Sequence, residues 1–92
     1  IDTAGTLCNA AEALVQKGGA RQVMAAATHA VLSGPAVERL RNSPIDQVVL
    51  LDTIALPPEK RLNKFTVLPS APVFAEAIRR IAADQSVWAL FE

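Results

Sequence analysis

A short segment near the middle of this chain, residues 47–51, carries an uninterrupted run of apolar residues after its first position. It reads Gln-Val-Val-Leu-Leu and lacks the alternation of apolar and polar residues that marks a half-exposed strand. Such continuous, β-branched runs are typical of central strands in parallel sheets, where both faces are covered. Parallel neighbours need a crossover connection, which is usually a helix. The segment therefore predicts an α/β fold with a parallel sheet.

The remaining sequence alternates between helical and extended patterns, as that fold requires. The predicted helices are residues 6–17, residues 36–41 and a helix that follows Ser70 and ends at Asp84 and Gln85; a final turn is expected over residues 86–92. The predicted strands are residues 22–27, 47–51 and 64–68. Three strands that alternate in this way with three to four helices form a parallel sheet joined by helical crossovers. Ligands of such sheets bind at the carboxyl ends of the strands.

Glycine, proline and serine mark the predicted helix ends. Gly18 and Gly19 are expected to end the first helix, and Pro35 to occupy the first position of the second. Ser70 is expected to cap the last helix, and residues 56–63, with two prolines, to form a surface loop. The last helix carries an apolar stripe formed by Phe74, Ala77, Ile78 and Ile81.

Size and composition place limits on the chain. Its 92 residues suffice for one small domain or part of one, and 51% of them are hydrophobic, so we expect some surface to pack against other sequence or other subunits. The chain begins with Ile1 and shows no signal peptide pattern, which is expected of the C-terminal segment of a longer enzyme. Nine basic residues balance nine acidic ones without a basic, aromatic stripe, which argues against nucleic acid as a partner.

The apolar runs and the cysteine content indicate a cellular location. The apolar runs are far shorter than a membrane span, so no membrane association is expected. The single cysteine, Cys8, cannot form an internal disulfide and suits the reducing cytoplasm. No base lies near Cys8 in the sequence, which favours a packing role over a nucleophilic one.

The opening loop is the strongest candidate site. Asp2, Thr3, Ala4, Gly5 and Thr6 lead directly into the first predicted helix. Backbone N–H groups and threonine hydroxyls at a helix N-terminus, where the helix dipole is positive, suit a phosphate dianion. Gly5 would let the backbone approach the anion closely, while the carboxylate of Asp2 would contact a sugar hydroxyl or a loop N–H. The alternative is a capped helix start without a ligand.

The Asp-Thr-Ala-Gly-Thr run resembles the phosphoribosyl diphosphate loop of the type I phosphoribosyltransferase fold. The form with Ala4 is similar to the loop of the ribose-phosphate diphosphokinases. Other stretches that resemble these enzymes are Ala27-Thr28-His29-Ala30, Ser33-Gly34-Pro35-Ala36, Asp52-Thr53-Ile54 and Ser86-Val87-Trp88-Ala89-Leu90-Phe91. These stretches are collinear over all 92 residues, and the chain is identified as a member of this enzyme family, covering the C-terminal, ribose-5-phosphate-binding part of its domain.

The resemblance implies an activity. Enzymes of this family are transferases of nucleotide biosynthesis that move the diphosphoryl group of ATP, with Mg²⁺, to ribose 5-phosphate to make phosphoribosyl diphosphate. The loop from Asp2 to Thr6 would bind the 5-phosphate of the sugar. The acidic pair, the ATP site, the Mg²⁺-linked histidine and the catalytic basic loop of the family are not in this sequence. We therefore expect no catalytic and no metal-binding residue in it, and no turnover by this segment alone.

The resemblance also implies regulation and assembly. In this family the tail motif helps to form an allosteric site for phosphate or ADP at a subunit contact, and Ser86, Val87 and Phe91 match it. Packing of the tail is the alternative. Family members form dimers that assemble into homohexamers.

Several assignments remain open at this stage. His29 is either a catalytic or ligand-binding group or the end of a strand, Ser33 is a site residue or a helix cap, and Asp52 with Thr53 faces the site or forms a turn. Two other functions also remain: a nucleobase phosphoribosyltransferase, which uses the same loop, and a non-catalytic regulatory subunit of the diphosphokinase. We expect the loops at residues 2–6, 28–34 and 52–53 to share one edge of the sheet.

Overall fold

A three-stranded parallel sheet forms the centre of the fold in the computed structural model, which describes residues 1–91. The strands are β1 (Val23–Ala27), β2 (Ile45–Leu51) and β3 (Phe65–Leu68), in the order β1-β2-β3. The α-helices are α1 (Gly5–Gln16), α2 (Ala36–Arg41) and α3 (Ala71–Ala82), with short 3-10 turns at Pro58–Lys60 and Trp88–Phe91. The predicted fold class, α/β with a parallel sheet, is confirmed.

The central strand β2 begins two residues before the predicted position. A bulge near this start interrupts its pairing with β1. Val23 pairs with Ile45, but Met24 pairs with Gln47, which leaves Asp46 as the extra residue. The carboxylate of Asp46 accepts a hydrogen bond from the Val23 amide at 3.1 Å. A polar residue within a strand hides its start from a search for apolar runs.

The hydrophobic core lies on one face of the sheet, between the strands and helices α1 and α2. Its most deeply buried side chains are Leu32, Leu40, Ile45, Val48 and Leu50. Alternate residues of β2, Val49 and Leu51, are only half-buried, and Met24 of β1 is exposed. The prediction that both faces of β2 are covered is therefore wrong for this chain, since the second face has little packed on it.

Helix α3 has the predicted apolar stripe, but none of its residues is buried. Phe74, Ile78 and Ile81 are 59%, 67% and 66% exposed. The described chain is elongated, with extents of 51 × 30 × 19 Å and a radius of gyration of 16.4 Å. A compact domain of this length would have a radius of about 12 Å. The α3 stripe thus adds apolar surface without adding to the core.

Two predicted helix starts differ in detail from the structure. Pro35 lies at the N-cap of α2, one position before the first helical residue. Ser70 is the N-cap residue of α3, but its side chain accepts no hydrogen bond from the helix; its hydroxyl donates to Asp52. The predicted stop of α1 is confirmed, with Gly19 in the left-handed region at φ 71°.

Candidate functional site

The opening segment of the chain is held against the loop that follows β1. The carbonyl of Ile1 accepts hydrogen bonds from the amides of Val31 at 3.0 Å and Leu32 at 3.1 Å. The carbonyl of Asp2 accepts one from the Ser33 amide at 2.9 Å. These bonds place the opening loop at the carboxyl edge of the sheet, beside residues 31–33, as the parallel topology predicted. The Ser33 side chain does not cap α2, so the interpretation of Ser33 as a helix cap is wrong. The backbone carbonyl of Ser33 accepts a hydrogen bond from the Ala36 amide at 3.1 Å.

The loop after β2 joins the same edge through Thr53. Its hydroxyl donates to the Thr28 carbonyl at 3.1 Å and lies 2.7 Å from Nδ1 of His29. Because the Thr53 proton is used on Thr28, His29 must donate its Nδ1–H to Thr53. This pairing orients the imidazole and leaves Nε2 as its outward-facing nitrogen. The three predicted loops do meet, and within the described contacts His29 serves to join two of them.

The sharp turn of the opening loop lies at Ala4. This residue has φ 65° and ψ 8°, in the left-handed region, and is only 4% exposed. A left-handed conformation costs a non-glycine residue about 1–3 kcal/mol, so the surrounding contacts must hold it there. The first helical hydrogen bond follows at once, from the Cys8 amide to the Ala4 carbonyl at 3.0 Å. Gly5, which the sequence suggested as the flexible residue, is the first residue of α1.

The change of handedness between Ala4 and Gly5 shapes the backbone into an anion-binding concavity. A left-handed residue next to a right-handed one turns successive N–H groups toward a common point, the arrangement called a nest. Here those groups belong to Ala4, Gly5 and Thr6. No side chain caps α1 at Ala4, so the first-turn amides retain the unmet hydrogen-bonding capacity of a helix start. The positive end of the α1 dipole lies at the same place.

A cavity of about 480 Å³ lies over this nest. Its lining residues are Ile1, Asp2, Thr3, Ala4, Gly5, Thr6, Leu7, Ala10 and Ala26. All five predicted ribose-5-phosphate-binding residues, Asp2 to Thr6, therefore lie around one open space. The side chains of Asp2, Thr3 and Thr6 are exposed. The polypeptide does not fill the concavity, and an oxyanion has room to enter.

The other side of the same loop is contacted by Arg39, which the sequence analysis did not single out. Nη1 of Arg39 donates a hydrogen bond to the Thr3 carbonyl at 3.1 Å, from a position 36 residues further along the chain. A Cβ at Gly5 would lie 3.1 Å from the same Nη1. The sequence signal for Arg39 is weak, since a basic residue in the last turn of a short helix usually serves the helix dipole.

Asp52 stabilises the start of α3 and does not line the cavity. One of its carboxylate oxygens accepts from the Ser70 amide at 2.7 Å and from the Ser70 hydroxyl at 2.6 Å. These hydrogen bonds, the hydroxyl first, hold the pKa of Asp52 below its usual value. Of the two open interpretations, the structure favours a structural turn for Asp52, which connects the end of β2 to α3.

The predicted effector-site residues lie far along the tail, in a short 3-10 turn and just before it. The Ser86 hydroxyl accepts from the Trp88 amide at 3.1 Å, and the Ser86 carbonyl accepts from Nη1 of Arg80 at 3.0 Å. Val87 is half-buried, and Phe91 is exposed with its ring 6.2 Å from that of Trp88. None of these residues lines the cavity at the opening loop.

The other chemically reactive groups of the chain are weaker candidates for a functional site. Cys8 is a free, buried thiol of the core. Within residues 1–91, no three histidine, cysteine or acidic side chains come together as a metal site would require. Nor is any helix in that range long and apolar enough to cross a bilayer.

Comparison with known proteins assigns the chain to a family. All of residues 1–92 match the family described as the phosphoribosyl synthetase-associated domain. A ribose-phosphate pyrophosphokinase of Clostridium acetobutylicum is 59% identical over the whole chain, and one of Caldanaerobacter subterraneus is 59% identical over 99% of it. The chain spans 28% of the length of each of these relatives.

A solved structure is similar in three dimensions as well. The phosphoribosylpyrophosphate synthetase from Mycobacterium smegmatis superposes with a TM-score of 0.86 at 39% identity, over 91% of this chain and 28% of that one. The loop, the parallel sheet and these relatives agree with the resemblance found in the sequence. The chain belongs to the phosphoribosyl synthetase-associated domain family.

Proposed function

We propose that this chain forms the ribose-5-phosphate-binding part of a full-length ribose-phosphate pyrophosphokinase. The observation that carries the proposal is the nest at Ala4, Gly5 and Thr6, which opens into a cavity at the positive end of α1. Family membership and the names of the relatives favour this enzyme over a nucleobase phosphoribosyltransferase.

In this proposal each part of the loop has a role in holding the sugar phosphate. The three amides and the hydroxyls of Thr3 and Thr6 donate hydrogen bonds to the phosphate oxygens. The Asp2 carboxylate, which would repel the phosphate, accepts a hydrogen bond from a ribose hydroxyl instead. Fixing the 5-phosphate end of the ribose orients the anomeric hydroxyl at the far end for in-line attack on ATP.

The full-length enzyme would transfer the β,γ-diphosphoryl group of ATP to that hydroxyl and release AMP. Catalysis of this kind depends mainly on positioning and on offsetting charge. Mg²⁺ would supply charge neutralisation on the phosphates of ATP. Residues 1–91 bring no cluster of three metal-ligating side chains together, and the ligands of that ion would lie mainly outside this segment. The chain's own contribution is to bind and orient the sugar.

Three further properties belong to the same proposal. Ser86, Val87 and Phe91 would bind phosphate or ADP as an effector at a contact between subunits of a homohexamer. The enzyme would act in the cytoplasm, in nucleotide biosynthesis. The 92-residue chain alone would make no phosphoribosyl diphosphate, and measurable turnover by the purified piece would refute that point.

The substitution Thr6→Val in the full-length enzyme tests the proposed clamp. It removes one hydroxyl while keeping the shape of the side chain, and a hydrogen bond to a charged group contributes about 1.5–3 kcal/mol. We expect the KM for ribose 5-phosphate to rise by about tenfold or more, with the KM for ATP nearly unchanged.

Thr66→Val provides the matched control. Thr66 is an exposed threonine of β3 whose hydroxyl contacts the side-chain amide of Gln47, away from the loop. The Thr66→Val variant should leave the KM values for ribose 5-phosphate and for ATP unchanged. An unaltered ribose 5-phosphate KM in Thr6→Val would show that the loop does not bind the sugar phosphate.

A further inference from the structure

Arg39 differs from the neighbouring arginine on the same helix. Arg41 forms an ion pair with Glu38 on the surface of α2. Arg39 has no carboxylate within ion-pair distance among residues 1–91; it reaches across to the opening loop and donates to the Thr3 carbonyl at 3.1 Å. A guanidinium that contacts a backbone carbonyl instead of a nearby acid is available to orient that peptide.

The Thr3 carbonyl and the Ala4 amide belong to one peptide group. The described chain contains no cis peptide bond, so this C=O and this N–H point in opposite directions. When Arg39 holds the Thr3 oxygen on the α2 side of the loop, the Ala4 N–H must point away from α2. The contact therefore determines the direction of the first donor of the nest.

The side facing away from α2 is the side of the cavity. Leu7 and Ala10 of α1 line the cavity, whereas Cys8 and Glu12 line a groove of about 440 Å³ that also includes Arg39. At about 100° per residue, these two pairs lie on nearly opposite faces of α1. Arg39 thus contacts the loop from behind, and the Ala4 N–H faces the space where the anion would bind.

Gly5 provides a second observation at the same contact. A Cβ at this position would lie 3.1 Å from Nη1 and 3.8 Å from Cζ of Arg39. Apart from the chain neighbours and the nearby backbone of α1, no other atom lies within 4 Å of that point. The missing side chain therefore makes room for the guanidinium behind the loop, and Gly5 has no positive φ that would require glycine.

We propose that Arg39 is a positioning residue for the sugar phosphate: it orients the Thr3–Ala4 peptide so that the nest is formed before the ligand arrives. The inference rests on the function proposed above and adds a residue to it. Arg39 acts through the backbone, without touching the ligand, and the missing side chain at Gly5 leaves room for the close approach of the guanidinium.

Steady-state kinetics of the full-length enzyme tests this role with Arg39→Ala. We expect the KM for ribose 5-phosphate to rise about five- to tenfold, less than for Thr6→Val because Arg39 acts on the phosphate only through the peptide, while kcat and the KM for ATP change less than about twofold. Arg39→Lys, which keeps the charge and a donor, should restore part of the loss. Arg41→Ala removes the same charge from the same helix and should leave all constants unchanged.

Equal effects of Arg39→Ala and Arg41→Ala would overturn the inference, since only net charge would then matter. An equal rise in both KM values of Arg39→Ala together with a lower melting temperature would overturn it as well, because that pattern marks a general structural role. If Thr6→Val raises the ribose 5-phosphate KM and Arg39→Ala does not, the positioning role fails while the loop function stands. If neither does, both proposals fail.

Gly5→Ala gives an independent test should Arg39→Ala not fold. The new Cβ would lie 3.1 Å from Nη1, so the guanidinium would have to shift by a few tenths of an ångström and its hydrogen bond to Thr3 would weaken, while Arg39 remains in the chain. We expect a rise in the ribose 5-phosphate KM in the same direction as in Arg39→Ala but smaller, reversed in part when Arg39→Lys is added. A Gly5→Ala enzyme with an unchanged KM would contradict the proposed contact.

Discussion

Helices α1 and α3 are both amphipathic and both twelve residues long, yet only α1 is packed. Cys8 and Ala11 of α1 are buried in the core, whereas α3 buries no residue. The apolar stripe of α3 contains larger side chains than those α1 buries, so its hydrophobicity is not the limiting factor. What differs is the presence of a facing surface within this chain.

This contrast separates two sources of helix stability. Helix α1 is stabilised by burial against β1 and α2, and its N-terminus is therefore held firmly enough to keep Ala4 in a left-handed turn. Helix α3 depends on local interactions: its attachment through Asp52 and Ser70, and a cluster in which Glu76 pairs with Arg79 and Arg80. The part that carries the candidate site is thus the better stabilised part.

The largest expected effect compares a core residue with a residue of the α3 stripe. Leu40 is 0% exposed and Ile78 is 67% exposed. Leu40→Ala should lower the free energy of unfolding by about 2–5 kcal/mol, because it leaves a cavity. Ile78→Ala should change it by less than about 0.5 kcal/mol. Urea unfolding of both variants measures the difference, and equal costs would show that α3 is packed in solution.

The second prediction concerns the strained turn at Ala4. Valine at this position should cost about 1–3 kcal/mol, because a β-branched residue disfavours the left-handed region. Glycine should be nearly neutral, since relief of the strain offsets the loss of one buried methyl group, which contributes about 0.8 kcal/mol. Thermal or urea unfolding checks both. A valine variant as stable as the glycine variant would mean that Ala4 is not left-handed.

The smallest effect is a pH dependence confined to α3. Hydrogen bonding to Arg79, the larger cause, and pairing with Arg80 lower the pKa of Glu76 from 4.5 to about 2. A lowered folded-state pKa contributes stability that is present above pH 4.5 and is lost as the pH falls toward 2. NMR titration should find the Glu76 carboxyl with a midpoint near 2, with Glu76→Gln as control. A midpoint near 4.5 would show that the pairs do not form.

Much of the fold could be predicted because its signals are local. The apolar run at 47–51 and the periodicity of α1 and α3 depend on neighbouring residues, and the strands and helices lie within two residues of their predicted positions. The meeting of three loops at one edge follows from parallel topology. Asp46 hides the start of β2, since its bulge depends on pairing with β1.

The unpredicted features depend on distant parts of the chain. Ala4 is left-handed and the neighbouring Gly5 is not. Nothing in the surrounding sequence indicates this, because glycine is the residue that usually adopts the left-handed conformation. The contact of Arg39 with Thr3 joins residues that are 36 apart. The exposure of the α3 stripe could not be predicted either, because periodicity shows that a face is apolar and does not show what covers it.

The central claim is that the nest at Ala4, Gly5 and Thr6 holds the phosphate of ribose 5-phosphate. A crystal structure of the full-length enzyme with ribose 5-phosphate tests it directly. We expect phosphate oxygens at about 3 Å from these three backbone nitrogens, with Arg39 still hydrogen-bonded to Thr3 behind the loop. A sugar phosphate bound elsewhere, with only water in the cavity over the nest, would contradict it.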